Sequence, residues 1–382
     1  MNWSKASVAF LITAITLVAC GKNSESSPEI QSRTFLRTVF VKGDPINLVA
    51  GSSFEKESFI SIDSLSDLNE YTLASIYQFT EKEVLVEAED VERSIESGNE
   101  AAKEDETKFK KSFYKFKKDG NEYLYSSESE KIDLSFKQNA GKMDLISLQT
   151  PSGTYDLKAI HYSQKQTKDA FSILAITSVN EIGRVLLSFT FVKKSNQQPI
   201  GKASSNFKYL YGPGVKVIWD QAEELQINIC GAQSAALDGI YRKGISQWST
   251  TLNGRLKIKT KTLLYYPPFN DLNTHCIYTV RNYQTEYSRK IMNPGSTMSI
   301  ADTFQGKFID SDVMIWVKEN EKGGYILEER ASLQKTIAHE VGHLLGMDHQ
   351  FDKLTSSIMG YSGVASITNY DNEAIASLYP LI

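Results

Sequence analysis

The chain is 382 residues long, enough for two domains of roughly 150 to 180 residues each. Hydrophobic residues make up 41% and charged residues 23%, a globular balance that excludes both a multi-span membrane protein and a disordered chain. The formal net charge is -4 with no basic stripe, which argues against a nucleic-acid partner because phosphate binding needs clustered Lys and Arg; pairs such as Lys110-Lys111 and Lys117-Lys118 read as solvated faces.

Residues 1–19 read as a secretory signal. Lys5 precedes an apolar stretch through Val8, Phe10, Leu11, Ile12, Ile15 and Leu17, which ends at Ala19-Cys20. The stretch is short for a bilayer span, which needs about 20 residues, so removal is the expected fate. Leu17-Val18-Ala19-Cys20-Gly21 resembles the lipobox of bacterial lipoproteins. That resemblance implies acylation of Cys20 as the new N-terminus and a lipid-anchored place in the cell envelope. Gly21, where inner-membrane retention favours Asp, points to the outer membrane of a Gram-negative host. The plainer alternative is an ordinary signal peptide whose apolar core ends in Cys. Residues 20–33 are polar and Ser-rich, as suits a flexible tether.

From 34 to 205 a β-rich N-terminal domain is expected, a propeptide or an accessory module. Its strands are read at Leu36–Val41, Tyr123–Tyr125, Ile132–Phe136, Met143–Leu148, Phe171–Thr177 and Arg184–Val192. Asp119-Gly120-Asn121 and Pro151-Ser152-Gly153 supply turns, which makes the domain mainly antiparallel. Gly43-Asp44-Pro45 reads as another turn, and Glu87–Lys111 as an exposed helix or a loop. Pro, Gly, Ser and Asn gather between Pro199 and Pro213 and mark the boundary. In the second domain, 206–382, strands at Val215–Trp219, Leu225–Ile229 and Leu256–Lys259 alternate with a helix at Ala235–Trp248, an α+β pattern. After Cys20 only Cys230 and Cys276 remain. In an oxidising compartment they read as a disulfide, the alternative being two buried thiols.

The chemistry concentrates in one stretch. Three of the five histidines lie in His339-Glu340-Val341-Gly342-His343-Leu344-Leu345-Gly346-Met347-Asp348-His349. Leu333, Ile337, Val341, Leu344 and Leu345 recur at helical spacing, so His339 and His343 share a face. Side chains at i and i+4 stand about 5–6 Å apart, within reach of one metal ion. Gly346 can take the left-handed conformation of a helix end and turn the chain back, so that His349 supplies a third ligand. Three neutral imidazoles leave zinc dicationic with one position open for water. Glu340, next to the first ligand, is placed to act as general base.

This H-E-x-x-H-x-x-G-x-x-H pattern, followed by Ser357-Ile358-Met359-Gly360-Tyr361, resembles the zinc helix and Met-turn of metzincin peptidases. Gly306–Ile315 resembles the strand before the zinc helix in matrixins, Leu333–Ala338 the approach to their motif, and Tyr370–Pro380 their C-terminal helix. The resemblance spans about 210 to 382. It implies a twisted mixed sheet with an active-site helix and a C-terminal helix, preceded here by the mainly β domain. It also implies one catalytic zinc on His339, His343 and His349, a hydrophobic floor at Met359, and a protein or peptide substrate. Structural calcium is compatible with it, although no residue pattern assigns the ion. Tyr361 departs from the Pro typical of matrixins and is similar to the Tyr of astacins and serralysins; it reads as a zinc ligand, an oxyanion donor or an aromatic wall. No Cys between Cys20 and Cys230 offers the cysteine latch of matrixin propeptides. The expectation is a membrane-tethered zinc endopeptidase, and the rival is a binding or adhesion lipoprotein with a non-catalytic zinc site.

Overall fold

The computed structural model describes residues 35–40, 68–80, 115–127, 132–139, 142–150, 153–177, 185–194, 202–212, 214–231, 234–280, 295–302, 305–316, 330–352, 354–360 and 364–381. The signal, Cys20, the tether, the turn at Gly43-Asp44-Pro45, the stretch Glu87–Lys111 and Tyr361 lie outside the described residues.

The N-terminal half builds a sheet of nine strands: β1 (Phe35–Phe40), β2 (Tyr71–Thr80), β3 (Lys115–Asp119), β4 (Glu122–Ser127), β5 (Ile132–Asn139), β6 (Lys142–Thr150), β7 (Gly153–Gln164), β8 (Ala170–Thr177) and β9 (Val185–Lys193). Strands β3 to β9 form a continuous antiparallel meander, β2 pairs antiparallel with β9, and β1 adds to β2 in parallel. Strand β8 shows why its sequence is almost uninterruptedly apolar. Successive side chains point to opposite faces, and here both faces are buried. Phe171, Ile173 and Ala175 pack with Leu187, Phe189 and Phe191 of β9 on one side, while Ala170, Leu174 and Ile176 face the other way into a second cluster.

That second cluster joins the two halves of the protein. The C-terminal half contains β10 (Glu224–Cys230), α1 (Ala235–Thr251), β11 (Lys257–Leu263), β12 (His275–Val280), β13 (Gly295–Asp302), β14 (Lys307–Trp316), α2 (Arg330–Leu344) and α3 (Asn369–Leu378). Among the described residues its five strands are ordered β11-β10-β12-β14-β13; all pairings are parallel except that of β13, the terminal strand of these five. Ile227, Ile229, Ile277, Val313 and Ile315 face the three helices. The alternate residues Cys230, Cys276, Tyr278 and Met314 face Ala170, Leu174, Ile176 and Val192 of the nine-stranded sheet. The five-stranded sheet is thus covered by helices on one face and by the other sheet on its back.

Polar contacts lock this junction. Lys165 Nζ donates to the carbonyls of Leu272 (2.8 Å) and Ile309 (2.9 Å), Ser163 Oγ donates to Asp271 Oδ1 (2.8 Å), and Ser172 Oγ donates to the Asn270 carbonyl (2.6 Å). Asp312 is fully buried and accepts from the amides of Asn270 and Cys276. Burial and the neighbouring charge of Asp310 push its carboxyl well above the usual carboxylate range.

The segment Val215–Trp219 is not a strand of either sheet. It is extended and makes isolated bridges, Lys202 with Val215 and Ile218 with Lys307, because Val217, Ile218 and Trp219 turn into the helix-side core instead of extending a ladder. From Ala203 onward the chain already packs into that core.

Candidate metal centre

Helix α2 buries Ile337, Ala338, Val341 and Leu344 against α1 and the sheet, which fixes the direction in which His339 and His343 project. Its last carbonyls find partners outside the helix. Trp219 Nε1 donates to the Leu344 carbonyl (2.8 Å) and Tyr379 Oη to that of Leu345 (3.0 Å), satisfying groups a helix end leaves orphaned. Gly346 then adopts φ 102, a conformation L side chains rarely take, and a Cβ there would also lie 3.2 Å from the Val217 carbonyl. The chain turns, is held by the Asp348 amide donating to the Lys208 carbonyl (3.1 Å), and brings His349 beside the other two rings.

His339 Nδ1 donates to the Ile358 carbonyl and His343 Nδ1 to the Met347 carbonyl, both at 2.8 Å. A carbonyl can only accept, so both rings are Nδ1–H tautomers and each Nε2 presents a lone pair. Yet His343 Nε2 stands 3.1 Å from His339 Nε2 and 3.2 Å from His349 Nε2. Neutral lone pairs at that spacing repel unless a cation lies between them. Tetrahedral zinc with Zn–N bonds of about 2.0–2.1 Å requires ligand nitrogens about 3.3–3.4 Å apart, so the donor set fits zinc. It is the one such cluster of metal-ligating groups among the described residues. His349 also stacks on Phe351, with ring centroids 5.2 Å apart, and has the Asp348 carboxylate 3.7 Å from its Nδ1.

Met359 packs under the helix, in the helix-side core. Gly342, between the two helical histidines, leaves room for it: a Cβ there would fall 2.3 Å from Met359 Sδ and 2.9 Å from Trp248 Cζ2. The Met-turn is tied to the C-terminal helix by Asp371, which accepts from the Ile358 amide (2.9 Å) and from Ser357 Oγ. Asp371 also completes the capping box of α3 with Thr368.

Cys230 and Cys276 form a disulfide between β10 and β12, with Cα atoms 5.9 Å apart. Glu340 is buried, and Thr297 Oγ1 of β13 donates to its Oε2 at 2.6 Å. The sequence carries no sign of this Thr297 contact, because β13 meets α2 only in the folded chain.

Residues 236–380 match the family model of the matrixins. Together with the histidine cluster, this decides the family of the C-terminal half. It is a matrixin-like metzincin domain. The match leaves the whole nine-stranded sheet outside it. A search of curated proteins returned no match. In this metzincin domain β14 is the strand that precedes the zinc helix and α3 the helix that closes the domain, and metalloprotease activity follows from the family.

Proposed function

We propose that the protein is an exported, lipid-anchored zinc endopeptidase that hydrolyses peptide bonds with Glu340 as general base. The observation that carries this reading is the convergence of three Nε2 atoms, two of them bearing lone pairs set by backbone carbonyls, next to a buried carboxylate that is not one of the ligands. A structural zinc site usually fills its fourth position with protein and has no use for such a carboxylate.

His339, His343 and His349 would hold the metal. Bound zinc supplies Lewis-acid polarisation of the scissile carbonyl and acidifies water. Glu340 takes the proton of the attacking water and delivers it to the leaving amine. The backbone carbonyls of Ile358 and Met347 keep His339 and His343 in the required tautomer, and Met359 supports the rings from below. Strand β13 ends its sheet and touches α2, so an extended peptide can add along it by main-chain hydrogen bonds. Tyr361, two residues beyond Met359, is the candidate phenol for the oxyanion. The nine-stranded sheet acts as an accessory wall fused to the back of the catalytic sheet, which sets it apart from a removable propeptide. Anchoring rests on the lipobox-like run at Cys20 and the polar tether behind it.

Digestion of a peptide library with and without a chelator tests the activity. Cleavage that the chelator abolishes and zinc restores is the expected result; an intact library, or cleavage that ignores the chelator, would replace this reading with that of a binding lipoprotein. Intact-mass analysis of the natively exported protein should show an acylated Cys20 at the N-terminus, and an unmodified thiol there would remove the anchor from the account.

A further inference from the structure

We propose that Thr297 and Gly295 of β13 form a clamp that orients Glu340, which makes Thr297 a positioning residue for hydrolysis; the inference rests on the peptidase reading above. Thr297 Oγ1 lies 2.6 Å from Glu340 Oε2 and 3.0 Å from the Glu340 carbonyl. Both neighbours accept, so the hydroxyl is the donor. The shorter contact has the length of a charge-assisted O–H···O⁻ bond, the stronger kind. Gly295 precedes Thr297 by two residues and therefore faces the same way along the strand. A Cβ at Gly295 would stand 2.6 Å from Glu340 Cγ and 2.9 Å from Oε1. The carboxylate is gripped by a hydroxyl at one oxygen, while bare backbone presses on its stem.

The clamp is mounted on the sheet and not on the helix that carries Glu340. Thr297 pairs with Val313 of β14, and β14 is held in turn by β12. A general base is effective only when its oxygen faces the proton it removes, and a Glu side chain left to rotate would spend much of its time elsewhere. Because β13 is the terminal strand, the strand that seats a substrate also holds the base that attacks it. An alignment of carboxylate and scissile bond thus follows from a single element.

The test compares the full-length parent with Thr297→Val, which keeps the shape and removes the hydroxyl, and with Thr297→Ser, which restores the hydroxyl. Zinc per chain, circular dichroism, kcat and KM on a quenched peptide are measured for each. Thr297→Val should keep its zinc and change KM by no more than about twofold, while kcat falls about 10- to 100-fold, the loss expected for a hydrogen bond to a charged group. Thr297→Ser should recover most of that loss. Parental kcat in Thr297→Val, a Thr297→Ser as slow as Thr297→Val, or loss of zinc together with activity would each overturn the clamp. Should Thr297→Val fail to fold, Thr297→Ala carries the same comparison. A parent that cleaves nothing would sink the peptidase reading and the clamp together, whereas an active parent with an equally active Thr297→Val would sink the clamp alone.

Discussion

Each imidazole of the centre is fixed by something other than the metal. Carbonyls set the tautomers of His339 and His343, Phe351 lies against His349, and Met359 fills the space under the helix. Such outer contacts orient ligands and raise their basicity. Gly342 is the narrowest point of this arrangement. Gly342→Ala would drive a methyl into Met359 Sδ and the Trp248 ring, and overpacking of this kind costs about 1–3 kcal/mol. Thermal unfolding with and without zinc should show a lowered Tm and a smaller rise on adding metal; an unchanged Tm would mean the Met-turn yields freely. The clustering of the three histidines was legible in the sequence because the helical period alone puts His339 and His343 on one face, and Gly346 signals the turn that brings His349 beside them. Thr297 was not, since nothing in its neighbours distinguishes it from any other strand threonine and its contact arises from tertiary placement.

Among the elements, α3 does more than close the domain. Asp371 caps its first turn and simultaneously holds the Ser357 hydroxyl and the Ile358 amide, whose own carbonyl carries His339. Asp371→Ala should break the reciprocal half of the capping box while Thr368 stays as N-cap, and leave buried donors unsatisfied at about 1–3 kcal/mol. Denaturant unfolding should therefore show a loss of about 1–3 kcal/mol, accompanied by weaker zinc retention on dialysis; full zinc retention would uncouple the helix from the site. Strand legibility followed the regularity of alternation. The strand read at Ile132–Phe136 runs on to Asn139, and the register shift falls just past Phe136, between Lys137 and Gln138. Strands β2, β3, β7, β12 and β13 went unread; β2, β7 and β13 carry shifts, at Leu73/Ser75, Ala159/His161 and Ile300/Ala301, while β3 and β12 are only five and six residues long. A bulge inserts one residue and inverts the in-out pattern beyond it, so Leu73 and Ile76 share a face although they are three apart.

At the scale of the whole molecule, the back of the catalytic sheet is dry only because the nine-stranded sheet covers it. Phe269, Leu272, Tyr278, Met298, Ile300 and Met314 all contribute to the shared cluster. Burying one such side chain fully is worth about 1.5–3 kcal/mol, and a whole domain is stable by only about 5–15 kcal/mol. A chain beginning at residue 202 should therefore aggregate, or unfold well below the parent in a thermal melt. A soluble, active fragment of that kind would show the sheet to be a detachable propeptide. The fusion of the two sheets was not legible from composition, because a strand buried on both faces looks the same in sequence whatever covers it. The central claim, that the three histidines hold a zinc on which Glu340 acts as base, is tested most directly by measuring zinc content and peptide turnover on the same preparations of parent, Glu340→Ala and His343→Ala. The account predicts about one zinc per chain in Glu340→Ala with turnover reduced by at least about 10²–10⁴-fold, and loss of both in His343→Ala. Parental turnover by folded Glu340→Ala would contradict it.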